Sequence, residues 1–359
     1  MKQAISLARQ SLGQVSPNPA VGAVIVKDGV VIGQGRTQPP GQAHAEVMAL
    51  RQAGHVARGS TMYVTLEPCC HYGRTPPCTE AIIAGSITEV HLATLDPNPL
   101  VSGKGKQALE AAGIKTCTGE CEDEARQLNE AFFKHITTGL PFVTAKFAMS
   151  LDGKIATRSR SSRWISGEAS RQMVHELRRY NDAIMVGVGT VLADDPRLTA
   201  RSTSAGAEEV GRTKIVVDSQ GRTPLNAQVL QSPGKTIIAA VAPLAAERAR
   251  ALAQAGAEVL ELPSRDSLVD LAALLQELGR RGIISVLVEG GSTLLGCLFD
   301  QGLVDKVVVF VAPIIIGGRE AVTAVGGEGA FELEKALRLN RVKVERLGDD
   351  VMISGYLGR

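Results

Sequence analysis

Apolar runs of strand length alternate with helical stretches through almost the whole chain, and the series stops and restarts once. In the first part the strand-like runs fall at 24–26, 30–32, 61–66, 89–95 and 114–117. Helical spacing covers 1–12, 43–53, 79–84, 104–112 and 122–138. Lys27-Asp28-Gly29, between the first two runs, is a hairpin signal. Thr138-Gly139-Leu140-Pro141 then breaks the pattern. A second series follows, with strands at 143–147, 183–186, 214–217, 236–241, 259–262, 285–288 and 307–311 and helices at 170–179, 245–255, 268–280 and 293–301. Alternation of this kind defines layered α/β architecture. The pattern predicts two α/β domains, 1–139 and 140–359, and 359 residues is a length that two domains fill.

Three short pieces in the first domain carry chemistry: His44-Ala45-Glu46, Glu67-Pro68-Cys69 and Pro76-Pro77-Cys78. A catalytic zinc takes three protein ligands and keeps a fourth position for water. His44, Cys69 and Cys78 supply those three. The pattern puts His44 and Glu46 on the first turn of a helix, Cys69 beyond a strand, and Cys78 at a helix start behind two prolines. A helix N-terminus favours the thiolate, the form that binds metal. Zinc lowers the pKa of bound water towards about 7. Glu46, two residues from a ligand, is then placed to carry the water proton to a ring nitrogen and a leaving amine. This is the arrangement of zinc deaminases acting on nucleobase-like amines, where the Glu is not a ligand. A structural zinc site would want a fourth ligand, from Cys70 or His71. The spacing departs from the common Cys-x-x-Cys, because eight residues, Cys70 to Pro77, separate Cys69 from Cys78. That loop is expected to shape the substrate pocket, with Cys70 a bystander and His71 or Arg74 within reach of a substrate phosphate.

Composition excludes several other functions. Residues 1–139 hold 12 Lys+Arg and 12 Asp+Glu, and the whole chain carries a net +2, which argues against a general polyanion binder. Aromatics make up only 3%, too few for stacking platforms that hold single-stranded nucleic acid. Residues 154–201 are locally basic, 9 against 5, which suits either a solvated face or a phosphate-bearing small molecule. Six cysteines, three of them within 69–78, do not make a secreted disulfide scaffold. No signal segment opens the chain, and the longest apolar run, 307–316, is broken by Pro313. A cytoplasmic protein with reduced thiols and no membrane partner is expected, and homo-oligomerisation is compatible with the sequence.

In the second domain the strand at 285–288 runs into Glu289-Gly290-Gly291-Ser292-Thr293 and then a helix. Glycines there let a phosphate approach backbone N–H groups at a helix N-terminus. It is not the Rossmann fingerprint. Gly187-Val188-Gly189 comes close to one, but Leu192 stands where a third Gly would be.

Thr65 through Cys78, with its long inter-cysteine loop, resembles the deaminase of riboflavin biosynthesis, as do Pro17-Asn18-Pro19-Ala20-Val21-Gly22 and Asp96-Pro97-Asn98-Pro99. The second half resembles the reductase fused to it, through Lys146 to Lys154, Trp164-Ile165-Ser166, Thr190 to Thr199 and Val288-Glu289-Gly290-Gly291. The resemblance implies a cytidine-deaminase-like three-layer α/β domain followed by a dihydrofolate-reductase-like one, one zinc ion, and NADPH. It implies hydrolysis of the 2-amine of a diamino-ribosylamino-pyrimidinone 5′-phosphate, then reduction of the ribosyl group to ribityl. Asn18 would hold the pyrimidine. Ser162, Arg178, Leu198, Arg201 and Glu289 would face the second substrate. Ala148, Trp164, Thr190, Asp194, Ser219 and the run Gly291, Ser292, Thr293, Leu294, Leu295, Gly296 and Cys297 would line NADPH. Arg178 and Arg201 could clamp the phosphate as forked donors. Lys146, Asp194 and Glu289 are the candidates for polarising or protonating the opening sugar. Core packing is the other reading of Trp164, and surface ion pairing that of the arginines. Ser159-Arg160-Ser161 stands where a Gly-containing turn is usual, and 203–211 reads as an altered loop. Two rivals remain: a deaminase of a nucleic-acid base, which a neutral first domain opposes, and a binding module that has lost catalysis, which intact His44, Glu46, Cys69 and Cys78 oppose.

Overall fold

A computed structural model describes residues 1–201 and 209–358. The chain divides into two compact units, Met1–Leu140 and Pro141–Arg359.

In the first unit, α1 (Lys2–Arg9) precedes the hairpin β1 (Gly22–Lys27) and β2 (Val30–Arg36). Asp28 and Gly29 both take positive φ, 53° and 77°, as a two-residue turn of this hand requires. There follow α2 (Ala45–Ala53), β3 (Thr61–Val64), α3 (Cys78–Ala84), β4 (Glu89–Leu92), α4 (Lys104–Ala111) and β5 (Lys115–Thr118). The sheet order is β2-β1-β3-β4-β5, with the last three strands parallel. Helices cover both faces. A side chain at Gly22 would strike α1 at Ala4, whereas one at Gly35, on the opposite face, would lie 2.2 Å from the Ala45 carbonyl oxygen. That backbone-to-backbone approach seats the first turn of α2 on the sheet.

The stretch 122–138 is two helices, not one: α5 (Glu122–Leu128) and α6 (Glu130–Thr138). The break is Asn129. Its buried amide accepts from the Ala20 N–H at 2.8 Å and donates to the Ala20 carbonyl at 3.0 Å. Satisfying both groups of a buried peptide outweighs helical continuity.

The second unit contains β6 (Phe142–Ser150), α7 (Glu168–Tyr180), β7 (Ala183–Gly187), α8 (Val188–Asp194), β8 (Thr213–Val217), β9 (Thr236–Val241), α9 (Ala246–Gln254) and β10 (Ala257–Leu262). It continues with the small hairpin β11 (Ser264–Arg265) and β12 (Leu268–Val269), then α10 (Leu271–Arg280), β13 (Ser285–Glu289), α11 (Ser292–Asp300) and β14 (Lys306–Ala312). A terminal hairpin, β15 (Leu339–Leu347) and β16 (Asp350–Leu357), closes it. Nine strands form one sheet in the order β10-β9-β8-β7-β13-β6-β14-β16-β15. The first seven are parallel, and their residues Ile184, Val186, Val216, Ile238, Val286 and Leu287 are fully buried, as strands covered on both faces must be.

Three details differ from the sequence reading. Helix α8 directly follows β7, within the Gly187-Val188-Gly189 stretch. The segment 268–280 opens as a strand, and α10 starts only behind Asp270, whose carboxylate accepts from the N–H groups of Ala272 and Ala273. The terminal hairpin was not expected: β15 is exposed along nearly its whole length and its valines alternate with charges, so it shows no apolar run. Loop 203–211 lies largely outside the described residues. No described helix is long and apolar enough to cross a membrane.

Candidate active sites

In the first unit His44 caps α2, Cys69 lies beyond β3, and Cys78 opens α3. The ring Nδ1 of His44 lies 3.7 Å from the Cys69 sulfur and 3.3 Å from that of Cys78. The three donor atoms fall within 4.8 Å of one another. The Cys78 N–H points at the Cys69 sulfur at 3.3 Å. Nε2 of His44 faces the Thr75 hydroxyl at 3.5 Å, on the side of the ring away from the sulfurs. The side-chain hydrogen bond between the two sulfurs holds the Cys69 thiol down to about 4 and pushes the Cys78 thiol up. A half-buried and a buried sulfur so close cannot both ionise unaided. A divalent cation removes that conflict, and one imidazole with two thiolates is a donor set suited to zinc.

Glu46 is 3% exposed, on the same turn of α2 as His44. Burial, then the Cys69 charge, pushes its carboxyl up to about 7. Cys70 is not a fourth ligand, since its sulfur faces the Leu100 carbonyl at 3.8 Å. His71 is likewise outside the donor set, and Arg74 is exposed. Glu67 is a residue the sequence left without a role. Its buried carboxylate accepts from the N–H groups of Asp96, Gly103 and Lys106, so it ties the strand leading to Cys69 to the start of α4. Asn18 is half-buried, in the segment anchored through Ala20.

In the second unit a cleft of about 1440 Å³ runs along the C-terminal ends of the parallel strands. Ligands of open α/β sheets bind there. Lys146 and Glu289 are paired across β6 and β13. Arg178 donates to both Glu289 oxygens, at 2.5 and 2.9 Å, and to the Thr199 carbonyl at 3.0 Å. Lys146 Nζ lies 3.6 Å from the same carboxylate. Burial would raise the Glu289 carboxyl, but the Arg178 and Lys146 charges outweigh it and hold it down to about 2. Burial lowers Lys146 from its ordinary value.

Arg178 is thus engaged by a buried carboxylate and by the Thr199 carbonyl, and the neighbouring Arg178 and Lys146 charges favour the ionised form of Glu289. Arg201 lines the cleft with an exposed side chain. Leu198 borders the cleft but is 2% exposed and packs in the core under β7 and β8.

Ala148, Trp164, Thr190, Asp194, Ser219, Gly291, Ser292, Thr293, Leu294 and Cys297 all line the cleft. Leu295 and Gly296 do not. Leu295 is fully buried, and Gly296 packs against the backbone of Gly326 and Gly327. Both lie on the far side of α11, since a helix cannot turn seven consecutive residues one way. Gly290 and Gly291 take φ of 72° and 86°, a left-handed backbone that favours glycine and opens the approach to α11. These features fit a dinucleotide phosphate. Trp164 is 70% exposed under the Arg171 guanidinium, so it is not a core residue. Ser162 donates to the Asp194 carboxylate at 2.7 Å. Arg160 supplies φ of 64° where a Gly was expected. His175, which the sequence did not single out, lines the cleft one turn before Arg178. Its buried Nδ1 has no hydrogen-bond partner among the described residues, and burial with the charges of Arg178 and Arg201 lowers its pKa.

Fold and sites together define a zinc deaminase joined to a nicotinamide-dependent reductase. Residues 1–94 match the cytidine and deoxycytidylate deaminase zinc-binding region, and 141–353 match the RibD C-terminal domain. The chain is 45% identical to the riboflavin biosynthesis protein RibD of Aquifex aeolicus, over 98% of this chain and 96% of that one. It is 40% identical to RibD of Escherichia coli, over 98% and 97%. Among solved structures, RibD of Acinetobacter baumannii superimposes with a TM-score of 0.87 at 40% identity, covering 99% of this chain and 97% of that one. A diaminohydroxyphosphoribosylaminopyrimidine deaminase/5-amino-6-(5-phosphoribosylamino)uracil reductase from Thermotoga maritima does so with 0.87 at 35% identity, covering 100% and 97%. The chain belongs to the RibD family of bifunctional riboflavin-biosynthesis enzymes. Its deaminase domain uses zinc and its reductase domain NADPH.

Proposed function

We propose that this chain deaminates 2,5-diamino-6-ribosylamino-4(3H)-pyrimidinone 5′-phosphate and then reduces the product's ribosyl group, giving 5-amino-6-(5-phosphoribitylamino)uracil. The observation that carries the reading is the convergence of His44, Cys69 and Cys78 beside a buried Glu46, in a chain that also holds the Lys146–Glu289–Arg178 cluster. His44, Cys69 and Cys78 would hold zinc, which supplies an activated water. Glu46 would take one proton from the attacking water and pass it to the ring nitrogen, then carry the second, from the hydroxyl so formed, to the amine, which leaves as ammonia as the C–N bond breaks and the carbonyl forms. The protein's own part is to keep Glu46 dry and fixed on α2. Asn18 holds the pyrimidine.

NADPH supplies hydride to the first carbon of the opened sugar. Glu289, kept ionised, orients Arg178 and Lys146 at the floor of the cleft. Lys146, whose pKa burial lowers, donates the proton that sugar opening requires. Ser162 and Arg201 position the substrate, and Ala148, Trp164, Thr190, Asp194, Ser219 and the accessible part of 291–297 position the cofactor. Balanced charge in 1–139 supports a small-molecule substrate over a polynucleotide. All six cysteines are free, which supports a reducing, cytoplasmic setting. The test is Glu46→Gln: the variant keeps its zinc and releases no ammonia. Ammonia release at the parent rate overturns the shuttle.

A further inference from the structure

The reductase cleft extends well past the Glu289 cluster, and its far end has a distinct chemistry. It is built from the segment after β8, Ser219 to Arg222, and from the β11–β12 hairpin. The Ser219 hydroxyl accepts from the Val269 N–H at 3.1 Å, which ties the two pieces together. Asp266 and Ser267 form the hairpin turn with φ of 52° and 63°, and Arg265 pairs with Leu268 across it. Arg222 and Arg265 both line this end. Their side chains are exposed, and neither makes a hydrogen bond or ion pair with any described residue. Elsewhere in the cleft Arg178 is held by Glu289, and Arg171 donates to the Ser166 carbonyl. The charged group nearest in sequence is Asp266, at the tip of the same turn.

The strand register places the two ends. Lys146 pairs with Glu289, Val288 with Met185, and Gly187 with Val217, so the ends of β6, β13, β7 and β8 form one row. Three strand spacings separate β6 from β8, roughly 14 Å. Hydride must be delivered at the Lys146–Glu289 end, so the nicotinamide lies there. Gly290, Gly291 and the first amides of α11 stand mid-row, where a pyrophosphate meets backbone N–H groups. The adenosine half then extends beyond β8. At its ribose 2′ position NADH carries a hydroxyl and NADPH a phosphate. Two unpaired guanidinium groups offer planar donor forks matched to that phosphate.

We propose that Arg222 and Arg265 hold the 2′-phosphate of NADPH and set the reductase's preference for NADPH over NADH. This rests on the reading of the second unit as an NADPH-dependent reductase. The experiment is calorimetric titration of the full-length protein with NADPH, NADH and 2′,5′-ADP, for the parent, Arg222→Ala, Arg265→Ala and the double variant. The parent binds NADPH more tightly than NADH. Each single variant loses NADPH and 2′,5′-ADP affinity about tenfold or more, keeps its NADH affinity, and shows a weaker salt dependence. Arg→Lys variants recover part of the loss. The double variant no longer discriminates. Thermal melts report folding, and these exposed side chains leave them unchanged. Equal losses of NADPH and NADH, or no loss of either, overturn the assignment, as does a parent that prefers NADH. A parent that binds neither nucleotide overturns the reductase reading itself.

Discussion

Replacing Glu289 with Gln keeps the size of the side chain and removes the charge on which the floor of the reductase cleft depends. In the parent the carboxyl is held from its usual 4.5 down to about 2 by Arg178 and Lys146. That difference corresponds to about 3 kcal/mol of favourable interaction. Glu289 is only 9% exposed, so solvent screens little of it. Removing one partner of a buried ion pair costs about 3–5 kcal/mol, a compatible figure. A depressed carboxyl stabilises the fold above its unfolded value and loses that contribution as pH falls towards its folded value. The parent therefore loses stability between pH 4.5 and about 2 in a way that Glu289→Gln does not. At neutral pH the variant melts roughly 6–12 °C lower in calorimetry. A melting point within a degree of the parent, with the same acid limb, would show that the cluster does not hold this unit together.

Other outcomes follow from the same geometry. Chelating zinc stops ammonia release, whereas the deaminated intermediate is still reduced with NADPH; loss of both steps on chelation contradicts a zinc role confined to the first unit. Lys146→Met slows single-turnover hydride transfer by about 10²–10⁴-fold while NADPH affinity, measured by titration, holds; an unchanged rate removes Lys146 as the acid. Asn129→Ala leaves the buried Ala20 peptide without partners, which costs about 2–3 kcal/mol in denaturant unfolding and raises the pyrimidine KM through the segment carrying Asn18; unchanged values for both would detach Asn129 from the site.

How far the sequence could be read depended on how local each constraint was. The zinc ligands were legible because metal chemistry demands particular residue types at a strand end and two helix starts. The α/β alternation was legible because parallel strands buried on both faces are continuous apolar runs. Partnerships over long separations were not. Arg178 and Glu289 are 111 residues apart, and nothing near either shows that the arginine is taken. Leu295 and Gly296 were grouped with the cofactor because a continuous run hides which face of a helix each residue occupies. The break at Asn129 depends on Ala20, 109 residues away, and resemblance to a helix interior concealed it. Edge strand β15, solvated and charged, carries no burial signal at all.

The central claim is that one chain performs a zinc-dependent deamination and an NADPH-dependent reduction in sequence. It is tested most directly by incubating the full-length protein with the diaminopyrimidinone ribosyl phosphate, with and without NADPH, while following ammonia and the NADPH absorbance. The account predicts ammonia in both reactions and loss of NADPH absorbance only after deamination has begun. Ammonia from a polynucleotide but none from the free pyrimidine phosphate would contradict it.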